Sequence, residues 1–318
     1  MKTIFTPYQI KGISFKNRIV LPPLVRFSLL GTDGRVNQNL LDWYERIAKT
    51  EVGLIIVEAT AVEEAGKLRE NQLGIWSDDM IEGLSKIVKI CHQYETPVLI
   101  QLHHAGFKEK ISEVSKERLD EILDFFVKAF HRAKKAGFDG IEMHGAHGYL
   151  LSQLSSSIWN HRQDCYGNRF YFVKSLIEKT RELFDDRFLL SYRMSGNDPE
   201  VEDGIEMAKF LEQMGLDLLH VSNGVPKEVK QAVKISNYPP DFPFHWITFL
   251  GIEIKKAVSI PVIAVYGIKT EKQASRLLEE FDVDFVAVGR AMIFYPNWMK
   301  KCRKDFEKRM RQKKNENG

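Results

Sequence analysis

The segment HGAHGY at 144–149 brings two imidazoles and a phenol close together. Histidines three residues apart, such as His144 and His147, can face one ligand from a single helical turn. Such a pair can hold a carbonyl oxygen and stabilise the negative charge that develops on it, and Tyr149 can deliver a proton to the same substrate. The pair can also bind a metal ion, although no dedicated third ligand is evident. The simplest alternative is a pair of ordinary loop histidines beside a packing tyrosine.

Glycines and an arginine near the end of the chain indicate a phosphate site. The segment VIAVYG ends at Gly267, and the segment VAVGR ends in Gly289 and Arg290. Backbone N–H groups of glycine loops bind phosphate readily, and an arginine adds positive charge. The pattern predicts a phosphorylated substrate or a phosphate-bearing cofactor, although glycines after strands are common.

Eight short apolar runs supply the elements that would position these residues. Their aliphatic and β-branched residues are typical of strands buried on both faces of a parallel sheet, and amphipathic stretches separate them. Eight βα units predict a TIM (β/α)8 barrel; a doubly wound dinucleotide-binding sheet would carry a GxGxxG fingerprint, which is absent. Ligands bind such barrels at the carboxyl ends of the strands. The runs lie at 18–24, 53–59, 97–101, 140–144, 188–194, 218–221, 261–265 and 285–288.

Signals between the runs complete the predicted barrel. Ser115 can cap a long helix that Gly137 ends, and Thr270 can cap another. Gly12 lies between two short β-like stretches, so the segment 5–15 predicts a hairpin that plugs the bottom of the barrel. The proline-rich segment 223–244 predicts a loop over the active face.

Length and composition fit one barrel domain over residues 1–318. Hydrophobic residues make up 44% of the chain and charged residues 28%, enough for a full core. No apolar run approaches the length of a membrane span, and the first residues do not read as a signal peptide. Three cysteines without a CxxC pair argue against a disulfide framework, a cysteine-ligated zinc site and an iron–sulfur cluster. The cytoplasm is therefore the expected compartment.

The net charge of +3 is unevenly distributed along the chain. Residues 300–314 hold nine lysines and arginines against two acidic residues. We interpret the segment at about 300–318 as a solvated last helix with a frayed basic end, rather than as a surface for nucleic acid or membrane. Neither kind of partner is expected, and a homo-oligomer is left open.

Several motifs together resemble those of the old yellow enzyme family of FMN-dependent ene reductases, in particular its compact bacterial single-barrel branch. The matches follow the expected order over nearly the whole chain, and HGAHGYL followed by NHRQDCYG is the most specific pair. The matching segments are NRIVLPPL (17–24), GLIIVEAT (53–60), GIWSDD (74–79), IQLHHAG (100–106), HGAHGYLLSQ (144–153), NHRQDCYGN (160–168) and VGRAMIFYP (288–296).

The resemblance implies a role for each matching residue. The flavin ring would be lined by Pro22, Pro23, Leu24 and Val25. Its pyrimidine edge would meet Ala59 and Gln101, and Arg193 would lie near N1, where a cation stabilises the negative charge of reduced flavin. The FMN phosphate would be held by Gly267, Gly289 and Arg290. The substrate's carbonyl oxygen would bind His144 and His147, and Tyr149 would be the candidate proton donor.

The implied reaction is the reduction of an activated C=C bond in an α,β-unsaturated carbonyl compound. NADH or NADPH gives a hydride to the flavin and leaves, and the alkene then takes its place in a ping-pong sequence. The sequence does not choose between the two nicotinamides, because no dinucleotide-binding fold is present.

Departures from the family pattern predict differences in detail. Many relatives carry Cys or Thr where this chain has Val25, so we expect an altered flavin potential. Phe27 replaces a tyrosine, which removes a hydroxyl that contacts substrate. Arg26 either points into solvent or recognises an anionic group. The segment after Gly106 is short, which predicts an open active face and bulky, polycyclic enones as substrates.

Three alternative functions remain open at this stage. The same FMN barrel can oxidise an amine or a cyclic ketone, as a dehydrogenase or demethylase does. The chain can also bind flavin without turnover, although the presence of all four residues His144, His147, Tyr149 and Arg193 argues against that. The third alternative is a flavin-free lyase or isomerase barrel.

Overall fold

The computed structural model describes residues 2–223 and 238–316. Within these ranges eight parallel strands form a closed barrel, in which each strand pairs with the next one along the chain and the last pairs with the first. The predicted TIM barrel is therefore confirmed. The barrel strands are β3 (Ile19–Leu21), β4 (Leu54–Ala61), β5 (Val98–His103), β6 (Gly140–Gly145), β7 (Leu189–Ser195), β8 (Leu218–Ser222), β9 (Val262–Val265) and β10 (Phe285–Ala287).

Helices follow the strands and cover the outside of the barrel. In the described ranges they are α1 (Gln38–Ala48), α2 (Ile81–Gln93), α3 (Lys116–Ala136), α4 (Leu150–Ser155), α5 (Tyr171–Lys179), α6 (Val201–Gln213), α7 (Trp246–Ala257), α8 (Glu271–Glu280), α9 (Arg290–Phe294) and α10 (Trp298–Glu316). The predicted caps are present: the side chains of Ser115 and Thr270 accept from the third backbone N–H of α3 and α8, and Gly137 ends α3 with a φ of 89°. No helix in this part of the chain is both long and apolar enough to cross a membrane.

Burial on both faces explains why the strands read as apolar runs. All eight residues of β4 are buried, because its inner face meets the barrel core and its outer face meets the helices. The first barrel strand, β3, is shorter than the apolar run at 18–24 predicts, and it ends at Leu21. Pro22 and Pro23 follow, and neither has a backbone N–H to continue the ladder.

An antiparallel hairpin closes the bottom of the barrel, as predicted. Its strands are β1 (Tyr8–Ile10) and β2 (Ile13–Phe15), joined through Lys11 and Gly12. Buried side chains of the hairpin form one apolar cluster with inward residues from seven of the eight barrel strands, among them Leu54, Leu189 and Phe285. The cluster fills the amino-terminal half of the barrel, so any ligand must enter from the opposite end.

The segment over the active face is short. Between β5 and α3 it holds a single helical turn, Ile111–Glu113, which is the reduced capping region expected from the sequence. The proline-rich loop predicted at 223–244 falls largely outside the described residues, because 224–237 are not among them.

The basic carboxyl-terminal segment belongs to α10, which reaches Glu316. Arg309 makes ion pairs of 2.9 Å with Glu271 and Glu279 of α8. Cys302 is buried, so this helix packs on the barrel by one face and presents basic residues on the other.

Replacing Phe15 with alanine tests the hairpin as a plug. Phe15 is fully buried, with its ring centroid 5.3 Å from that of Phe285. Removing a buried ring typically costs about 3–5 kcal/mol, so Phe15→Ala should unfold at a clearly lower urea concentration than the wild type. The exposed neighbour Ser14 provides the control Ser14→Ala. Equal midpoints for all three proteins would contradict a plugging role.

Candidate active site

The two predicted histidines lie at the carboxyl end of β6. His144 belongs to the strand, and His147 follows in a turn with a φ of 67°, so the pair is brought together by a strand end and a left-handed residue rather than by a helical turn. His144 Nε2 lies 2.8 Å from His147 Nδ1. The two imidazoles are therefore hydrogen-bonded to each other.

The hydrogen-bonded chain extends beyond this pair in both directions. His103, the last residue of β5, places its Nδ1 3.0 Å from His144 Nδ1. At the other end, His147 Nε2 lies 3.0 Å from Ser222 Oγ, to which Arg193 Nη2 also donates over 3.4 Å. These five side chains, His103, His144, His147, Ser222 and Arg193, are called the histidine chain below.

Burial keeps the three imidazoles of the histidine chain uncharged. Burial lowers the pKa of His103 to about 3, and the neighbouring His104 adds to the effect. It also holds the pKa values of His144 and His147 well below their ordinary value, because desolvation is reinforced by the other imidazoles and by Arg193. Neutral imidazoles can donate a hydrogen bond to a carbonyl oxygen without placing a second full charge beside Arg193.

Tyr149 packs against the same imidazoles. Its ring lies edge-on to His103 and His144, with centroid separations of 4.6 and 5.1 Å. Desolvation raises the pKa of its phenol, although Arg69 acts in the opposite direction. The hydroxyl therefore keeps its proton at neutral pH, as a proton donor to a carbanion must.

A second set of buried polar side chains, Gln101, Glu142 and His220, lies deeper in the barrel. Gln101 donates to Glu142 over 2.7 Å, and the other oxygen of Glu142 lies 2.9 Å from His220 Nδ1. Burial lowers the pKa of His220, and the adjacent Glu142 acts in the opposite direction. Burial also lowers the pKa of Arg193, and the charge of Glu142 acts to raise it. Gln101 is thus held from behind by Glu142.

A cavity of about 970 Å³ opens next to Arg193 at this end of the barrel. It lies beyond the carboxyl ends of β3, β9 and β10, and it continues along α9 and α10. Among the residues expected to hold the cofactor, its lining includes Pro22, Leu24, Arg193, Gly267, Gly289 and Arg290. Pro23 is buried, Val25 is half-buried, and the carbonyl of Ala59 accepts from Gln72 over 2.8 Å.

The cavity fits a flavin mononucleotide by its chemistry. Arg193 Nε is buried with no hydrogen-bond partner among the described residues, so a cation faces this space with donor capacity to spare. A Cβ on Gly289 would approach Pro22 and Leu24 to 3.3 Å, and Gly267 has a φ of 73°. The exposed guanidinium of Arg290 lies 5.6 Å from the ring centroid of Tyr266. Glycine loops and a surface arginine suit a phosphate, and the buried arginine suits an electron-rich ring.

Arg26 and Phe27 lie at the edge of the site. The Arg26 guanidinium rests 4.2 Å from the ring centroid of Trp43 in α1, so it is partly covered rather than free in solvent. The guanidinium of Arg69 lies over the ring of Phe27, 4.9 Å from the ring centroid. Neither Arg26 nor Phe27 lines the large cavity.

Sequence reasoning missed several residues of this site. His103, Glu142, His220 and Ser222 stand at inward positions near the strand ends, and alternation along β5, β6 and β8 is the signal that could have identified them. In the described part of the chain, no group of three histidines, cysteines or acidic residues is placed to hold a metal ion.

Glu58 is the most perturbed acid of this region. It lies in β4, its Oε2 accepts from the backbone N–H of Arg26 over 3.0 Å, and its Oε1 is buried with no hydrogen-bond partner among the described residues. Burial raises the pKa of Glu58 to about 8, against the opposing effect of Arg26. A carboxyl group that is neutral at physiological pH therefore lies beside the segment predicted to line the flavin.

Known proteins match this chain in sequence and in structure. A model of the NADH:flavin oxidoreductase / NADH oxidase family matches residues 3–115 and 108–309. An NADPH dehydrogenase from Geobacillus sp. (strain WCH70) is 34% identical, over 93% of this chain and 92% of its own length. An NADH oxidase from Thermoanaerobacter brockii is also 34% identical over 97% of this chain, which spans only 52% of that longer protein.

Solved structures show the same barrel. Morphinone reductase superposes with a TM-score of 0.78 at 22% identity, covering 95% of this chain and 89% of its own. The old yellow enzyme homologue from Zymomonas mobilis superposes with a TM-score of 0.78 at 25% identity, covering 96% and 93% of the two chains. Sequence and structure therefore agree on the barrel and on its family.

Replacing Glu58 with glutamine tests the buried carboxyl. A folded-state pKa of about 8 against an ordinary 4.5 means that the folded protein keeps a proton which the unfolded chain loses across that window. The free energy of unfolding of the wild type should therefore fall as pH rises between these values, by at most about 1.4 kcal/mol per pH unit. Glu58→Gln cannot titrate there and should lack this part of the fall. Urea unfolding of both proteins across the window checks this, and parallel profiles would contradict it.

Proposed function

The chain belongs to the NADH:flavin oxidoreductase / NADH oxidase family, whose cofactors are FMN and NADH or NADPH, and from that membership we propose that it is an ene reductase. The proposed substrates are α,β-unsaturated carbonyl compounds, and the proposed order is ping-pong. The observation that carries the proposal is the buried, uncharged pair His144 and His147, which is joined through Ser222 to Arg193 in the wall of a cavity whose chemistry suits FMN.

The two imidazoles polarise the substrate. A carbonyl oxygen that enters the site takes hydrogen bonds which His144 and His147 otherwise make to each other and to Ser222. Donation to this oxygen draws electron density from the β-carbon and stabilises the enolate that forms. Because the imidazoles are neutral, these bonds strengthen as negative charge develops.

Tyr149 supplies the proton. Its phenol remains protonated at neutral pH and packs edge-on to the imidazoles, so it can protonate the α-carbon of the enolate. Bound FMN would supply the hydride transfer, from the nicotinamide first and to the β-carbon afterwards.

The cofactor is held by residues on both sides of the cavity. We assign the phosphate to Gly267, Gly289 and Arg290, and the electron-rich N1 end of the ring to Arg193. Gln101 and Ala59 would meet the pyrimidine edge, and Gln101 keeps its amide oxygen available because its nitrogen donates to Glu142. The remaining ring contacts would come from Pro22, Pro23, Leu24 and Val25.

The reduced cap bears on substrate size. Only one helical turn stands between β5 and α3, so the segment that follows His103 adds little chain over this end of the barrel. We propose that bulky enones, including polycyclic ones, are accepted alongside small ones. The nicotinamide and the alkene would use this same open face in turn, which is why the order is ping-pong.

Rapid mixing tests the proposed reaction and the role of Tyr149. The FMN-loaded protein, reduced anaerobically with NADPH or NADH, should be reoxidised by 2-cyclohexenone and by a polycyclic enone, as followed by the return of the flavin absorbance band. Tyr149→Phe should slow this reoxidation by about 10²–10⁴-fold, the usual contribution of a general acid, and leave reduction by the nicotinamide unchanged.

The control for that variant is Tyr94→Phe, whose hydroxyl contacts Glu45 at the outer surface and which should behave as the wild type. Failure of every enone to reoxidise the flavin, combined with direct bleaching of oxidised flavin by an amine or a saturated ketone, would overturn the proposal in favour of a dehydrogenase. Turnover of cyclohexenone without any large enone would contradict the part about substrate size.

Val25 should lower the flavin midpoint potential relative to relatives that carry a hydrogen-bond donor there. A threonine hydroxyl that donates to the reduced ring contributes about 1 kcal/mol, which for a two-electron couple corresponds to about 20 mV. Val25→Thr should therefore raise the midpoint by about that amount, as measured by dye-equilibrated reduction. Val25→Ala is the matched control without a hydroxyl, and equal midpoints in the wild type and Val25→Thr would reject the idea.

A further inference from the structure

The direction of the hydrogen bonds in the histidine chain can be derived from its Ser222 end. Ser222 has one hydroxyl proton, which it donates to the backbone carbonyl of Asn223 over 3.2 Å. Arg193 is always a donor, and it donates to Ser222 Oγ. With the Ser222 proton on the Asn223 carbonyl, the remaining contact of 3.0 Å is a bond that His147 Nε2 donates. A hydrogen bond to the backbone of Asn223, which acts to raise the pKa of His147, also favours His147 as a donor at this end of the chain.

Each neutral imidazole carries one proton, so this first direction fixes all the others. His147 has its proton on Nε2, which leaves its Nδ1 as an acceptor for His144 Nε2–H at 2.8 Å. His144 then has a bare Nδ1, which needs a donor. His103 Nδ1, at 3.0 Å, is the atom that can supply it.

The far side of His103 agrees with this direction. His103 is fully buried, and its Nε2 has no hydrogen-bond partner among the described residues. With the proton on Nδ1, the orphaned atom is a bare acceptor rather than an N–H. Buried N–H groups without partners are the rarer case in proteins, so the same tautomer is favoured at both ends of the chain.

We propose that His103 is a positioning residue for the proposed reaction: its Nδ1–H holds His144 in the tautomer that carries its proton on Nε2, the nitrogen directed toward His147 and the substrate. The inference rests on the proposed function only for its kinetic consequence. Without the donor on His103, the proton of His144 can move to Nδ1. His144 Nε2 would then present a lone pair, which repels a carbonyl oxygen instead of binding it.

Two substitutions separate the hydrogen bond from the mere presence of a side chain. His103→Asn places an amide N–H near the position of the imidazole Nδ1 and can donate to His144. His103→Leu has a comparable apolar volume and no donor. Proton–nitrogen correlation spectra of the FMN-loaded protein report directly which imidazole nitrogen carries the proton. We expect His144 to be protonated on Nε2 in the wild type and in His103→Asn, and to lose that preference in His103→Leu.

The kinetic readout should follow the tautomer. The value of kcat/KM for 2-cyclohexenone should fall about tenfold in His103→Leu, which corresponds to the loss of about 1.4 kcal/mol, and His103→Asn should recover most of it. A merely structural role for His103 would lower protein stability without this recovery and without a change of tautomer.

The outcomes distinguish the inference from the function on which it rests. A wild-type spectrum with His144 protonated on Nδ1 overturns the inference, whatever the enzyme reduces. A tautomer unchanged in His103→Leu also overturns it. If no enone is turned over but the spectra behave as expected, the positioning role stands and the proposed reaction fails. If His103→Leu does not fold, the wild-type spectrum and the His103→Asn variant still decide.

Discussion

Desolvation at the mouth of a closed barrel is the constraint on which this site depends. Side chains that point inward from eight strands have no route to water except through the open end, because the hairpin and its apolar cluster fill the other half. Polar groups placed there must bond to one another or remain unsatisfied at considerable cost. The pairs Gln101–Glu142 and Glu142–His220 are one result. The second result is the row of three imidazoles, His103, His144 and His147, each of which is hydrogen-bonded to the next.

The same constraint sets the electrostatics of the cavity wall. Arg193 is a cation that the barrel interior brings up to the histidines, and burial acts against its charge while Glu142 supports it. Its buried Nε has no partner in the described chain, whereas its Nη2 is tied to Ser222. One side of the guanidinium is thus fixed by the protein, and the other is left for an electron-rich partner. The three imidazoles near Arg193 are neutral, so they add no positive charge to that of the guanidinium.

The sequence was informative wherever a chemical signal was local. Apolar runs identified all eight strands, and the caps at Ser115, Gly137 and Thr270 required only neighbouring residues. The end of β3 at Leu21 was not predicted. Pro22 and Pro23 explain it once the hydrogen bonds between the barrel strands are known. His103 was given no role because a histidine at a strand end has no preferred partner in sequence, and its contact with His144 depends on the register of β5 against β6. The raised pKa of Glu58 depends on how completely the fold covers it, which a local pattern does not encode.

Closure of the barrel joins the two ends of the chain. The first barrel strand pairs with the last, with Val286 opposite Ile19 and Ala287 opposite Val20, so the ring cannot shut until almost all of the polypeptide is available. Contacts so distant in sequence are slow to form and leave strand edges open in the meantime. Pro22 and Leu24 lie on one side of this seam, and Gly289 and Arg290 lie on the other, all four against one cavity. A molecule held between them would bind only the closed ring and would stabilise it by mass action. Under the proposed cofactor assignment, supply of the cofactor would then help to determine how much of the newly made chain survives as folded protein.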